Sequence, residues 1–377
     1  MPRHRRSPSS LRALDEADLA CCYARQALAN PLLYAAVVFA GPIRMPSRTV
    51  TLVSGQSDIP VVPHILRRFD EELFLRTLRS LPHVRSWVRR LHFEERVGWE
   101  LDTDEGKSPS ILSQVSSFPG LESLSGVFIW PNVRSPPRIT SALTHLRVQT
   151  LGEAFPEQSH ISDWFDLSHV VRLEVAAGNT RDEHNEKVLG MILDPSKLPS
   201  LSDLRIVGPA NLVWKAKSHE LLEHSLKSLG HQLRVLHLCL AYSEDDFAPL
   251  DIPALCPSLK TFMLDLDRPV GLEGVNSPFF WNGASAAFST SWARLKLDLL
   301  ILFHSYLDEG EEEEFSVDGN RIIFAVDVIR PRRVALAGVN DVLPDDNSWK
   351  DLAEEIWCNA GTVLEDRHGR VIPRSGA

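Results

Sequence analysis

The sequence predicts an α/β fold: an irregular solenoid with parallel inner strands and outer helices, preceded by short helices. A short apolar motif recurs along the chain, and stretches with helical periodicity lie between its copies. Hydrophobic residues make up 44% of the 377 residues and charged residues 24%, which is typical of folded proteins. These observations together favour a stack of strand-and-helix units.

The recurring motif is Φ-P-x-Φ-x-x-Φ, in which Φ is an apolar residue. Its copies begin at Leu81, Phe118, Leu198 and Cys256. Proline lacks an N–H group and cannot continue a helix or a hydrogen-bonded ladder, so we expect each proline to mark the start of a short strand. The strand itself follows the pattern Φ-x-x-Φ-x-Φ. Its copies are Val88/Leu91/Phe93, Leu143/Leu146/Val148, Val170/Leu173/Val175, Leu201/Leu204/Ile206, Leu233/Leu236/Leu238, Leu259/Phe262/Leu264 and, more loosely, Trp292/Leu295/Leu297.

The spacing of these copies is more informative than any single copy. The first positions are Leu121, Leu143, Val170, Leu201, Leu233 and Leu259, which lie 22, 27, 31, 32 and 26 residues apart. That is the length of one strand plus one return segment, the signature of a leucine-rich-repeat solenoid. The spacing varies, and the Asn or Cys that follows the strand in regular repeats is missing, so we expect distorted curvature.

Residues 1–10 read as a disordered basic tail, and residues 11–44 as a helical segment. Residues 45–83 are interpreted as a linker and a leading helix. This helix is predicted over His64–Leu81, because apolar residues recur there at intervals of about three and four; they are Leu66, Phe69, Leu73, Leu78 and Leu81.

The repeat array is predicted over residues 84–305, with outer helices over Asp182–Leu193 and His219–Leu229. Residues 306–320 contain an acidic run that we interpret as a solvated loop. Residues 321–377 are predicted to cap the array, with a strand over Arg321–Val328 and a helix over Ser348–Cys358.

Composition excludes several classes of protein. The chain has 40 Lys and Arg against 50 Asp and Glu, a net charge of -10, which argues against a general nucleic-acid binder. The five cysteines are scattered, without a C-x-x-C pair, which favours a reducing compartment, the cytoplasm or nucleus. The apolar stretch over residues 27–40 is too short to span a membrane and is broken by Asn30 and Pro31.

No catalytic or cofactor motif is present in the sequence. The phosphate-binding, dinucleotide-binding, hydrolase and metalloprotease signatures are all missing. The histidines are dispersed, and His219 and His224 are five residues apart, which separates them on a helix. We therefore expect no enzyme activity, no cofactor and no metal site.

A second pattern lies in the N-terminal segment Leu11–Phe39. The residues that carry it are Leu14, Asp15, Asp18, Leu19, Cys22, Arg25, Leu28, Pro31, Leu32, Leu33 and Tyr34. They resemble the later helices of an F-box, and with the Φ-P-x-Φ strands the chain resembles the F-box/leucine-rich-repeat proteins of fungi. The first F-box helix, which starts with Leu-Pro and an acidic residue, is absent, so the F-box-like segment is partial and N-terminally truncated.

This resemblance implies a protein-protein interaction module that recognises substrates for an F-box-type (cullin-RING) ubiquitin ligase. It further implies that a Skp-type adaptor docks on Leu14, Leu19, Cys22, Pro31, Leu32, Leu33 and Tyr34. The alternative is a leucine-rich-repeat scaffold with no ubiquitin-ligase role, in which the helix over residues 18–29 only caps the first repeat.

The residues between the buried strand positions should form the concave face of the solenoid. They include Arg90, Ser123, Ser125, His145, Glu174 and Asp203, and the candidates for partner binding are Arg89, His92, Arg147, Arg172, Arg205, Arg234, His237 and Lys260. Arginine suits carboxylate and phosphate groups, so the basic selection predicts an acidic or phosphorylated partner segment. The alternative is that these arginines pair with carboxylates on neighbouring strands. Trp87, Trp130, Trp164 and Trp214 are interpreted as core residues.

Overall fold

The computed structural model describes residues 31, 34–39, 67–69, 71–98, 114–129, 138–150, 161–177, 195–207, 213–214, 216–238, 241–242, 250–265, 292, 294–303, 319–337, 348–366 and 369–374. The strands are β1 (Ala36–Phe39), β2 (Arg67–Phe69), β3 (Arg90–Gly98), β4 (Ser123–Ile129), β5 (His145–Thr150), β6 (Arg172–Ala177), β7 (Asp203–Val207), β8 (Val213–Trp214), β9 (Val235–Leu238), β10 (Ala241–Tyr242), β11 (Thr261–Asp265), β12 (Leu299–Phe303), β13 (Arg333–Ala337) and β14 (Val363–Glu365).

Twelve of these strands form one sheet in the order β14-β13-β12-β11-β9-β7-β6-β5-β4-β3-β1-β2, and β8 pairs with β10 in a separate short ribbon. Every neighbouring pair in the large sheet is parallel. Parallel neighbours need a crossover between them. The α/β class and the parallel sheet are therefore confirmed, and the arrangement is consistent with a solenoid.

Helices precede many of the strands. The α-helices are α1 (Glu71–Ser80), α2 (Ile161–Trp164), α3 (Ala216–Leu229), α4 (Ile252–Leu255), α5 (Gly319–Ile329) and α6 (Ser348–Ala360), and 3-10 helices cover Pro82–Trp87, Val115–Ser117 and Pro195–Lys197. The helices predicted over His219–Leu229 and Ser348–Cys358 are confirmed as α3 and α6. The helix predicted over Asp182–Leu193 lies outside the described residues.

The Φ-P-x-Φ motif forms a tight turn before the strand. The N–H of Leu201 donates to the carbonyl of Leu198 at 3.3 Å, with Pro199 at the second turn position. Proline suits that position because its ring fixes φ near the value the turn requires. The same bond closes the other proline copies, as in Leu259 N–H to Cys256 O at 3.1 Å. The expected strand-start role of the proline therefore holds at the copies that begin at Phe118, Leu198 and Cys256, whereas Pro82 starts a 3-10 helix and β3 begins only at Arg90.

After each turn, two consecutive N–H groups bind one carbonyl oxygen of the preceding strand unit. Glu122 and Ser123 both donate to the carbonyl of Arg89, at 2.8 and 3.0 Å. The same double acceptance recurs at the carbonyl groups of Glu122, Thr144, Val171, Ser202, Arg234 and Lys260. A carbonyl oxygen has two lone pairs, so both bonds can be made at once. These shared carbonyls fix where each strand starts relative to its neighbour.

The resulting register aligns one buried apolar residue from every strand between β3 and β14. This leucine row consists of Leu91, Leu124, Leu146, Leu173, Leu204, Leu236, Phe262, Leu300, Val334 and Leu364. Burying one such side chain stabilises the fold by about 1.5–3 kcal/mol relative to leaving it exposed. A register slip of one residue would turn a strand's leucine to the opposite face of the sheet.

The N-terminal edge of the sheet departs from chain order. Strand β1 lies between β2 and β3, so the chain passes from β1 to the outermost strand before α1 returns it to the other side of β1. The Phe39 ring stacks on Phe93 at a centroid distance of 5.1 Å and meets Phe74 edge-on at 5.4 Å. The segments before the predicted array therefore contribute two strands, β1 and β2, to the same sheet, and β1 corrects the prediction that residues 11–44 are helical.

The helix predicted over His64–Leu81 is wrong in its first part. Arg67–Phe69 forms strand β2, and α1 begins only at Glu71. The buried side of α1 agrees with the predicted apolar positions at Leu78 but not at Leu73, which is 57% exposed, and it also includes Phe74 and Leu75. Packing against the aromatic side chains of β1 and β3 selects this face.

Two predictions near the C-terminus are also wrong. The β-branched run over Arg321–Val328 forms helix α5, not a strand, and buries Ile322, Val326 and Ile329 on one face. A return segment is needed between the parallel strands β12 and β13, and this requirement overrides strand propensity. The looser strand copy Trp292/Leu295/Leu297 is also placed wrongly, because β12 begins only at Leu299 and its inward residues are Leu300 and Leu302.

The chain returns antiparallel along the C-terminal edge strand. Val371 forms an antiparallel bridge with Glu365, and the N–H of Ile372 donates to the carbonyl of Leu364 at 2.9 Å. The side chain of Arg370 donates to Asp366 at 2.6 Å and holds the return in place. This segment occupies hydrogen-bonding groups that an edge strand would otherwise expose.

We expect Gly230→Ala to lower the free energy of unfolding by about 2 kcal/mol or more. An added Cβ would lie 2.0 Å from the carbonyl oxygen of Leu255 and 2.5 Å from that of Leu226, and both atoms belong to the backbone. Urea unfolding checks this, with Gly120→Ala as the matched control. At Gly120 the Cβ would meet only the movable end of Arg89, so the loss should stay below about 0.5 kcal/mol. Equal effects of the two variants would contradict the packing between α3 and α4.

Candidate functional site

The face of the sheet opposite the leucine row, called the second face here, carries two aligned rows of side chains. One row consists of His92, Ser125, Arg147, Glu174, Arg205, His237, Met263, Ile301, Ala335 and Glu365. The other, two residues earlier in each strand, consists of Arg90, Ser123, His145, Arg172, Asp203, Val235, Thr261, Leu299, Arg333 and Val363. Side chains alternate between faces along a strand, so both rows follow from the burial of the leucines.

Only part of the second face is open to solvent. On β7–β13 most row residues are buried, whereas Val235, Thr261 and Leu299 are half-buried and Arg333 is exposed. The buried ones are Asp203, Arg205, His237, Met263, Ile301 and Ala335. On β3–β6 the row residues are exposed or half-buried; they form the accessible patch, which consists of Arg90, His92, Ser123, Ser125, His145, Arg147, Arg172 and Glu174. A partner approaching this face can reach these eight side chains directly.

On strands β5–β7 three arginines of the second face bind carboxylates on the same or the adjacent strand, and on β13 Arg333 binds Glu365 of β14 at 3.3 Å. The Nε of Arg147 contacts Glu174 at 3.0 Å, and the Nε of Arg172 contacts Asp203 at 2.5 Å. Arg205 binds the same aspartate twice, through Nε at 2.9 Å and through Nη2 at 3.0 Å. These three arginines therefore pair with carboxylates within the sheet, which is the alternative that the sequence analysis gives for them.

The histidines of the second face are neutral near physiological pH. Burial, followed by the charge of Arg147, lowers the pKa of His92 to about 4. Burial, followed by Arg205, lowers the pKa of His237 to about 4. The pKa of His145 is also lowered, by burial first and then by Arg172 and Arg90. The positive charge of the accessible patch therefore comes from its arginines alone.

The charges of the two rows on β3–β7 do not cancel. Among the described side chains, four arginines (Arg90, Arg147, Arg172 and Arg205) face two carboxylates (Glu174 and Asp203), which leaves an excess of four minus two, or two positive charges. The whole chain has a net charge of -10. A local positive field of this kind selects for a negatively charged group.

The sequence-predicted partner-binding residues fall into three groups. His92, Arg147 and Arg172 lie together in the accessible patch. Arg205 and His237 lie on the same face but are only 6% and 7% exposed. The prediction that both are accessible to a partner is therefore wrong.

The remaining three, Arg89, Arg234 and Lys260, are exposed one residue before their strands, on a rim formed by the shared carbonyls. They do not belong to the two rows. Arg89 donates to the carbonyl of Gly120 at 3.2 Å and contacts Glu122 at 3.4 Å, both on the rim side of β4. Sequence reasoning placed Asp203 on this face but did not predict that its carboxylate binds two arginines at once, because nothing in its local sequence indicates this.

The predicted adaptor-binding residues are only partly described. Leu14, Leu19, Cys22, Leu32 and Leu33 lie outside the described residues, and Pro31 is helical. The ring of Tyr34 is half-buried and lies 6.4 Å from that of Phe74 and 6.2 Å from that of Trp87. This tyrosine packs against the main core.

The tryptophan predictions are tested at two positions. Trp164 is fully buried and Trp87 packs half-buried against the core, as expected for core residues. Trp130 and the side chain of Trp214 lie outside what the structure describes.

Within the described ranges, no cluster of three metal-ligating side chains occurs. A bilayer-spanning helix, which must be both long and apolar, is likewise not found among those residues. No protein-family model matches the chain, and no curated protein matches it at a significant level.

The buried histidine of β9 predicts a pH dependence of stability. Burial, followed by the charge of Arg205, lowers the pKa of His237 to about 4 in the folded protein, whereas an unfolded imidazole has a pKa of about 6.5. The unfolded chain therefore binds more protons between these values. We expect stability to fall as the pH drops through that window and to level off below it.

Replacing His237 by Gln should remove on the order of 3 kcal/mol of this pH-dependent loss. The measurement is urea unfolding at about pH 7.5 and about pH 4.5, which gives the difference in the free energy of unfolding between wild type and variant at each pH. The exposed His231→Gln serves as the matched control and should follow the wild type. A wild-type-to-variant difference that is the same at both pH values would contradict the assignment.

Proposed function

We propose that the chain is a protein-protein interaction module of the leucine-rich-repeat type. It captures a negatively charged segment of a partner protein on the accessible patch, in the cytoplasm or nucleus. The observation that carries the proposal is the accessible patch itself, an arginine-rich surface with two excess positive charges on the described strands β3–β7.

The leucine-rich-repeat assignment is supported by the recurrence of one local structure. A tight turn, a shared carbonyl and an inward leucine follow each other at strand after strand, and the leucines align across the sheet. Repeats of this kind present a continuous, extended surface, which suits the binding of a partner segment rather than a small molecule.

Two arginines of the accessible patch are held in place by ion pairs. Arg147 and Arg172 are each held by a carboxylate through Nε, and Arg172 is tied through Asp203 to a third arginine. Side chains that are already ordered lose little conformational entropy when a partner binds. The patch is therefore preorganised for an anionic group.

We expect the double variant Arg90→Glu/Arg147→Glu to lose partner capture, because it replaces two positive charges of the patch with negative ones. The measurement is a pull-down with the full chain as bait, followed by mass spectrometry of the captured proteins. The control is Arg79→Glu on α1, an exposed arginine on a helix and not on the second face. Loss should be at least about tenfold for the patch variant and small for the control.

Capture that is equal for wild type and the patch variant would refute binding at this surface. Circular dichroism and thermal unfolding must show that the double variant is folded. If it is not, Arg90→Gln/Arg147→Gln replaces it, since neutral side chains avoid repulsion by Glu174 and are still expected to weaken capture.

Two versions of this function differ in the role of the N-terminal segment. In the first, the chain recognises substrates for an F-box-type (cullin-RING) ubiquitin ligase and the segment docks on a Skp-type adaptor; the sequence resemblance alone supports it. In the second, the chain is a scaffold with no ubiquitin-ligase role. The packing of Tyr34 between Phe74 and Trp87 supports the second version, because this side chain already serves the core.

Co-expression with a Skp-type adaptor separates the two versions. The ligase version predicts that the adaptor co-purifies stoichiometrically and that Leu19→Asp/Leu33→Asp abolishes this, since a charge in an apolar interface is costly. The scaffold version predicts no co-purification with either chain. Patch variants should leave adaptor binding unchanged in both cases.

A further inference from the structure

We propose that the accessible patch contains a binding site, called the seat here, for a phosphate monoester dianion carried by a phosphorylated side chain of the partner. This rests on the proposed function and narrows it, from any negatively charged segment to one class of group. The seat would lie over strand β4, whose small Ser123 and Ser125 separate the arginine and histidine of β3 from those of β5.

Strand spacing sets the dimensions of the seat. Neighbouring strands are about 4.8 Å apart, so the backbones of β3 and β5 are about 10 Å apart across the serines of β4. Arg90 and Arg147 stand on the two sides of this gap. Their long side chains can meet over the serines, whereas the serines themselves leave room there for a bound group.

The arginines retain donors for such a group. Arg147 and Arg172 contact their carboxylates through Nε, and each guanidinium group carries four further N–H donors on its terminal nitrogens. Arg90 makes no ion pair with any residue that the structure describes. Terminal guanidinium nitrogens form the two-pronged contact with phosphate oxygens that makes arginine a preferred phosphate ligand.

His92 and Ser125 supply a neutral donor at the same place. The Nδ1 of His92 lies within hydrogen-bond distance of the Oγ of Ser125. A neutral imidazole and a hydroxyl have one donor hydrogen each, and their mutual bond uses one of the two. Whichever way that bond runs, one donor hydrogen of the pair remains for a ligand.

Geometry and charge favour phosphate over carboxylate. The donors come from different strands, on at least two sides of the seat, and a tetrahedral group with three terminal oxygens can meet more of them than a planar group with two. The excess of two positive charges on the described side chains of β3–β7 matches a dianion. A phosphorylated side chain carries nearly two negative charges at neutral pH, a carboxylate only one.

The first test uses inorganic phosphate and O-phosphoserine as probes, with glutamate at matched ionic strength as the comparison. Histidine ring signals of the ¹⁵N-labelled full chain are followed by NMR during titration. We expect saturable shifts at His92 and His145 with both phosphate probes, and a rise in the pKa of His92, because a nearby dianion favours the imidazolium. Arg90→Gln/Arg147→Gln should weaken the binding at least about tenfold.

Arg332→Gln is the matched control, since Arg332 is an exposed arginine bound to Asp298 outside the patch. It should bind the probes as the wild type does. If the double glutamine variant unfolds, Arg90→Lys/Arg147→Lys keeps the charge but removes the two-pronged contact and should weaken phosphate binding by a smaller factor. Shifts of equal size with glutamate, or none with phosphate, would overturn the inference.

A second test separates this inference from the proposed function. The pull-down is repeated after the lysate has been treated with a phosphatase. Loss of capture by both the phosphatase and the Arg90→Glu/Arg147→Glu variant supports the phosphate seat. If capture survives phosphatase treatment but is lost in the variant, the phosphate seat is refuted and the protein-binding function is not. If capture is insensitive to both changes, the protein-binding function is refuted as well. Tighter binding of a single-stranded RNA than of a phosphopeptide at equal salt would also overturn the seat.

Discussion

Two backbone N–H groups at the start of a strand share one carbonyl oxygen of the unit before it, and this bond pattern recurs from β4 to β12. It fixes the longitudinal position of each strand on its neighbour. Because side chains alternate between faces, fixing the first residue decides the face of every later one. The leucine row, the second face and the neighbours of each charged group all depend on this constraint.

The second face shows what such a register does to charged groups. Asp203 lies beside Arg172 on one neighbouring strand and two residues before Arg205 on its own, and it binds both. A buried carboxylate needs partners of this kind, since an isolated buried charge would be strongly destabilising. Burial, followed by the charge of Arg205, lowers the pKa of the neighbouring His237, although Asp203 acts in the opposite direction. Under the proposed function, structure and binding draw on one set of arginines: those held by carboxylates stabilise the sheet, and their remaining donors, with Arg90, would bind a partner.

Much of the fold could be predicted from local patterns. The Φ-P-x-Φ turns, the inward leucines of most strands and the helices α3 and α6 all appear where spacing places them. These features depend on a few consecutive residues: a proline ring that fixes φ, or an apolar residue at a regular interval. The basic character of the second face was also visible, because alternation identifies its residues once the leucines are assigned.

The sequence by itself determined the class of fold, the phase of most strands and which residues share a face, because these follow from short-range periodicity. The tertiary structure alone decided that Arg321–Val328 is a helix, that β1 lies between β2 and β3, and that Arg205 and His237 are buried. It also decided which carboxylate each arginine meets. Most of those outcomes depend on residues far apart in the chain, such as Arg172 and Asp203 at a separation of 31 positions, which lie side by side only when parallel strands pair.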